Sequence, residues 1–206
     1  VYVVLHKPPE VVSTMEDPEG RPSLRDFLRG ISERVFPVGR LEYHASGLVL
    51  LTNDGELANR ILQAHHLRQT YYLKVKSPLM TAEIEELSRS TGAQIERLRS
   101  GTAPWYEATL SEARRDTLRN RLFQSGHPVE KMRRVGLGGV ELGAVPPGKH
   151  RNLTGTEVLA LKRAAQYGEQ PASSSAPKRN GFGKSPKERS RRRKGRDMKG
   201  RARRRS

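Results

Sequence analysis

An α+β fold, with a mixed and largely antiparallel sheet flanked by helices, is predicted from three observations. Strand-like and helix-like stretches are interleaved along the first 166 residues, one glycine-centred stretch folds naturally into a hairpin, and the longest aliphatic run, Leu48-Val49-Leu50-Leu51, is strand-sized. A doubly wound parallel sheet would show helices between all strands and no hairpin. Val1 to Leu5 opens the chain as a strand rich in valine. Ser23 is placed to cap a helix over Leu24 to Leu28, and Leu48 to Leu51 is a strand buried on both faces. Asn53, with Glu56 three residues on, resembles a capping box ahead of a helix from Leu57 to Leu62. Thr70 to Lys76 is a strand rich in tyrosine, and Thr81 begins a helix that runs through Ser88. Trp105 to Leu110 alternates as a strand does, so one of the adjacent pair Trp105 and Tyr106 belongs to the core. Arg114 to Gln124 is a helix with Leu118, Leu122 and Phe123 on one side and arginines on the other, closed by Gly126. Arg134 to Leu142 is the hairpin, turning at Gly138-Gly139. Thr154 with Glu157 forms a better capping box before a last helix, Val158 to Ala164.

Composition bounds the function. The chain has 206 residues, 39 Lys and Arg against 22 Asp and Glu, a formal charge of +17 and no cysteine. Disulfide scaffolds and thiolate metal sites are excluded, and no apolar run approaches the roughly 18 residues of a membrane span. A cysteine-free chain suits a reducing compartment, and a cytoplasmic location is expected. The charge is unevenly placed: residues 167–206 hold 15 of the 39 basic residues and 3 of the 22 acids. That stretch is Ser, Pro, Gly, Lys and Arg with almost no aliphatic residue, so two parts are expected, a folded domain over 1–166 and a disordered basic tail over 167–206. Runs such as Arg191-Arg192-Arg193-Lys194 attract phosphate without regard to sequence. No amphipathic apolar face accompanies the charges, which favours nucleic acid over a membrane surface as the partner. Nothing in the pattern demands more than a monomer. The chain begins at Val1, directly in a strand, and is expected to be trimmed at its N-terminus.

The stretch richest in chemistry is Gly39-Arg40-Leu41-Glu42-Tyr43-His44-Ala45-Ser46-Gly47, a loop that sets an acid beside an arginine and feeds a core strand, followed by Thr52-Asn53-Asp54-Gly55 at a helix start. For an arbitrary sequence such an acid and base form a surface ion pair worth a fraction of a kcal/mol. His44, His65 and His66 lack an acid or cysteine to complete a metal site, and no metal is expected. Gly136-Leu137-Gly138-Gly139 lacks the Gly-Lys-Ser/Thr ending of a nucleotide loop and leads into no helix.

Several separate motifs, in order, resemble the bacterial ribosomal-RNA pseudouridine synthases of the RsuA type. They are the lysine-proline opening Leu5-His6-Lys7-Pro8-Pro9, the loop Gly39 to Gly55, Arg68-Gln69-Thr70-Tyr71-Tyr72-Leu73-Lys74-Val75, Glu112 through Arg119 to Gly126-His127-Pro128-Val129, Arg134-Val135-Gly136-Leu137, and Leu142 to Leu153. The similarity spans nearly all of residues 1–160; the upstream S4-type RNA-binding domain usual in that family is expected to lie outside this sequence. It implies a pseudouridine synthase fold and an rRNA-modifying isomerase that flips a uracil out of its stack, breaks its bond to ribose, rotates it and rejoins it through carbon, with no cofactor. By resemblance Glu42 occupies the position of the catalytic aspartate, Arg119 that of the arginine pairing with it, Tyr71 that of the active-site tyrosine packing on the target base, and Arg40 orders the loop. Lys7, Arg40, Arg114 and Arg134 are the expected RNA contacts, with Lys7 either on a phosphate or solvated. Ala45 stands where the family usually has threonine, and Ala113, Asp116 and Asn120 replace glycine and basic residues. The extra methylene of Glu42 moves its oxygens by roughly an ångström, a displacement worth on the order of 10²-fold in rate. Two readings follow: an isomerase rebuilt around glutamate, or an rRNA-binding or ribosome-assembly factor that keeps the scaffold. Ribosomal RNA is the partner in both, and the basic tail favours the large subunit.

Overall fold

The computed structural model describes residues 1–98 and 104–167. Among the described residues nine strands form one sheet: β1 (Tyr2–Lys7), β2 (Phe36–Pro37), β3 (Ser46–Thr52), β4 (Arg68–Val75), β5 (Gln94–Arg97), β6 (Trp105–Ser111), β7 (Val129–Leu137), β8 (Val140–Glu141) and β9 (His150–Asn152). The helices are α1 (Gly55–Gln63), α2 (Thr81–Thr91), α3 (Arg115–Gln124) and α4 (Gly155–Tyr167). Across the sheet the order is β5-β6-β4-β7-β3-β1-β9, with β2 on β3 and β8 on β7. Among the described residues, β3 with β7 is the one parallel pairing of named strands, through Ser46 with Arg133 and Gly47 with Arg134. The fold is therefore α+β with a mixed, largely antiparallel sheet, as the pattern predicts. No helix among the described residues is long and apolar enough to cross a membrane.

The central strands explain themselves by the period of two. In β1, Val3 and Leu5 face one side and Val4 the other; in β3, Val49 and Leu51 join the first face and Leu48 and Leu50 the second. The second face is covered by Leu57, Ala58 and Ile61 of α1 and Leu161, Ala164 and Ala165 of α4. The first is covered by Leu87 of α2 and Leu118 and Leu122 of α3, packed with Tyr71, Leu73 and Tyr106. Strand β4 buries only alternate residues, Gln69, Tyr71, Leu73 and Val75, which brings the tyrosine side of this strand under α3.

Several local expectations need correction. The helix expected over Leu24 to Leu28 is a 3-10 turn, Leu24–Phe27, where the Asp26 carboxylate accepts from the Ser23 amide at 2.9 Å. Asp54, not Asn53, caps α1, accepting from the Leu57 amide at 2.9 Å. Phe123, placed on one side of the helix with Leu118 and Leu122, does not share their burial: it is exposed, because it lies a further step round the helix from Leu122. The hairpin turns at Gly138 and Gly139 as expected, with φ of 54° and 82°, but its first strand begins at Val129. The tail beyond Tyr167 lies outside the described residues, and Tyr167 itself closes α4.

At the start of α4 the Thr154–Glu157 box closes in both directions, at 2.9 and 3.2 Å, and Arg151 grips the same carboxylate at 2.7 and 2.8 Å. The Arg151 guanidinium, then the Thr154 amide, hold Glu157 down to about 2. A carboxylate depressed on folding stabilises above its unfolded value, here 4.5, and loses that stability as pH falls towards 2. Arg151→Met is expected to cost about 1–2 kcal/mol at neutral pH and to flatten the fall in stability between those limits. Urea midpoints measured against pH check this.

Candidate active site

The loop from Gly39 to Ala45 is held by its backbone on both sides of Glu42. On the near side the Ser13 hydroxyl donates to the Leu41 carbonyl at 2.5 Å and accepts the Leu41 amide at 3.0 Å. On the far side the Tyr43 carbonyl accepts from the Glu10 amide at 2.8 Å and from Lys7 Nζ at 3.2 Å. A turn from the Ala45 amide back to the Glu42 carbonyl, at 3.1 Å, then delivers the chain into β3. Glu42 thus extends from a loop whose backbone is fixed on both sides of it.

Its carboxylate crosses to α3. Arg119 Nη1 donates to Glu42 Oε2 at 2.5 Å, and Arg115 Nε lies 3.5 Å from Glu42 Oε1. The Glu42 side chain is 32% exposed, Arg119 49% and Arg115 16%, so the pair stands at the mouth of the site and not in its depth. In front of Glu42 opens a cleft of about 380 Å³, walled by Val12, Ser13, Arg21, Arg40, Leu41, Tyr43 and Arg115. That is within the usual size of a small-molecule site. Three arginines on its wall suit a ligand carrying phosphate.

Behind Glu42 the site closes on Tyr71, which is 1% exposed. Its hydroxyl donates to Gln69 Oε1 at 2.6 Å, and Arg134 Nη1 donates to the same oxygen at 3.0 Å. Burial, above all, raises the Tyr71 phenol, which stays a neutral donor. Between Tyr71 and α3 lies a small cavity lined by Leu118, Leu122, Met132, Arg115 and Arg119, too small for a base as the side chains stand.

Of the residues singled out in the sequence, Glu42 and Arg119 come together across 77 positions of chain, and Arg40 lines the cleft. Arg114 is exposed on the turn before α3. Lys7 and Arg134 need correction as RNA contacts. Lys7 is fully buried, with Nζ donating to the carbonyls of Pro8, Val11 and Tyr43 at 3.0, 2.7 and 3.2 Å, and burial pushes its ammonium down to about 8. It clips the β1 exit to the Glu42 loop. Arg134 is also buried, donating from Nε to the Leu48 carbonyl at 2.8 Å, and so ties β7 to β3 and to Gln69. Lys7→Met would leave three carbonyls without their cation and is expected to cost about 2–4 kcal/mol in urea denaturation. Sequence reading missed Gln69 and Arg115. Arg115 was legible in principle, since it stands four residues before Arg119 and shares its helix face.

Comparison with known proteins gives one consistent result. A family model described as RNA pseudouridylate synthase matches residues 1–125. The chain is 34% identical to an uncharacterized RNA pseudouridine synthase of Aquifex aeolicus, over 79% of this chain and 70% of that protein. It is 33% identical to the ribosomal large subunit pseudouridine synthase B of Bacillus subtilis, over 82% and 74%. With a dual-specificity RNA pseudouridine synthase of Shigella flexneri the identity is 32%, over 88% and 65%. A crystal structure of a pseudouridylate synthase superposes with a TM-score of 0.67 at 26% identity, covering 78% of this chain and 73% of that one.

Proposed function

The chain belongs to the RNA pseudouridylate synthase family, and from that premise we propose that it isomerises a specific uridine of ribosomal RNA to pseudouridine, with Glu42 as the working carboxylate. The observation that carries this reading is the Glu42–Arg119 pair at the edge of an arginine-walled cleft. A carboxylate set beside a guanidinium at the mouth of a cleft is placed to act as nucleophile or base. Isomerisation breaks the bond from uracil N1 to ribose C1′ and makes one from C5 to C1′; C5 loses a proton and N1 gains one, so nothing is consumed. The base must leave its stack to turn over. Arg21 and Arg40 would meet the flanking phosphates, which positions the strand without reading its sequence. Tyr71 would pack on the base once the side chains over it move, and Arg114 would add a phosphate contact at the rim.

The B. subtilis relative is named for the large ribosomal subunit, and large-subunit RNA is accordingly the first substrate to test. Incubation with RNA from each subunit should give pseudouridine at one position of one of them. RNA binding with no conversion on either would overturn the reading and leave a binding factor on the same scaffold. The 15 basic residues of 167–206 would supply sequence-independent affinity. A chain ending at Tyr167 should bind RNA on the order of 10-fold or more weakly at physiological salt, with a shallower salt dependence and an unchanged single-turnover rate on saturating RNA. An unchanged slope would remove that role.

A further inference from the structure

Arg115 is the side chain common to both hollows beside Glu42: it walls the open cleft on one side and the small Tyr71 cavity on the other. Arg119, the expected partner, reaches one carboxylate oxygen, Oε2; the other, Oε1, faces Arg115 Nε at 3.5 Å. A glutamate held by one oxygen keeps rotation about its terminal bond, whereas cations on both oxygens fix the carboxylate plane. Arg115 is itself held. Its Nη1 donates to Glu112 Oε1 at 2.8 Å, its Nε donates to Asp116 Oδ1 at 3.4 Å, and Gln69 Nε2 donates to the other oxygen of Glu112. Gln69 Oε1 in turn accepts the Tyr71 hydroxyl, so a line of hydrogen bonds runs from Arg115 through Glu112 and Gln69 to the buried phenol.

We propose that Arg115 is a positioning residue for the reaction, orienting the Glu42 carboxylate through Oε1 and setting it in register with Tyr71. The inference rests on Glu42 being the working carboxylate. It gives the longer side chain at position 42 a second anchor, which takes up the extra freedom of the added methylene.

The test is single-turnover conversion by Arg115→Gln, Arg115→Lys and Arg115→Ala. The Gln variant should lose on the order of 10–100-fold in the rate at saturating RNA, with little change in the RNA concentration giving half that rate. Lysine should restore part of it, and added methylguanidinium should raise the rate of the alanine variant. An unchanged rate, or a loss confined to RNA affinity, would overturn the proposal. A second readout needs neither activity nor an Arg115 variant: the Arg115 Nε–Hε resonance of the full chain should move in Glu42→Gln. If that resonance does not move, Arg115 does not hold Glu42. If it moves while the unaltered chain converts no RNA, the reading of function fails and the positioning contact stands.

Discussion

Glu42→Gln is expected to slow conversion of uridine to pseudouridine by on the order of 10³-fold or more while leaving RNA affinity within a factor of about three. Glutamine fills the same volume and keeps one acceptor oxygen, so Arg119 retains a partner and the loop, fixed at Leu41 and Tyr43, has no reason to move. What is lost is the charge, and with it any capacity to attack the sugar or take a proton. The arginines of the cleft lose a competing anion at the same time, which works against any fall in phosphate binding. Binding measured beside single-turnover conversion separates the two effects. A parallel loss of binding and rate would make Glu42 a structural anchor for the loop.

Gly47→Ala is expected to destabilise the protein by at least about 4 kcal/mol, or to prevent folding, the largest effect on stability that the structure predicts. Gly47 has a φ of 115°, which L side chains rarely adopt, and a Cβ there would lie 2.1 Å from the Arg134 carbonyl oxygen, 2.6 Å from its amide nitrogen and 2.9 Å from its carbonyl carbon. All three are backbone atoms of the strand paired in parallel with β3, so relief requires opening the junction of β3 with β7. That junction sits just beyond the Glu42 loop and places Arg134 against Gln69. Gly55→Ala is the control. A Cβ there meets nothing within 4 Å, and the change at the first turn of α1 should be neutral or stabilise by up to about 1 kcal/mol. Urea denaturation of both variants decides it.

The fold was legible where burial is written as unbroken hydrophobicity, and illegible where it is not. Leu48 to Leu51 announces a strand covered on both faces, and helices pack on each side of it. Strands β5 and β9, by contrast, are Gln94–Arg97 and His150–Asn152, polar edge segments whose composition is what keeps an edge from pairing further and which carry no period. In the site, the acid and its arginine could be placed from motif order, because loop and helix each carry their own local signals. Lys7 and Arg134 could not, since a basic residue in a sequence looks solvated. Only the convergence of carbonyls from Pro8, Val11 and Tyr43, and of Leu48 and Gln69, turns each into an internal strut. The same blindness hid Arg115 among the arginines of its helix, where helical spacing to Arg119 was the one available clue.

The most direct measurement is single-turnover conversion of ribosomal RNA by Glu42→Asp beside the unaltered chain, at matched RNA occupancy. Aspartate keeps the charge and retracts the oxygens by about one bond, so a site built around glutamate, with Arg119 on one oxygen and Arg115 on the other, should lose on the order of 10²-fold in rate. A faster aspartate variant would contradict this, and would mark Glu42 as the residue that impairs an otherwise intact synthase; no conversion by either form, with RNA bound, would contradict the enzyme reading altogether.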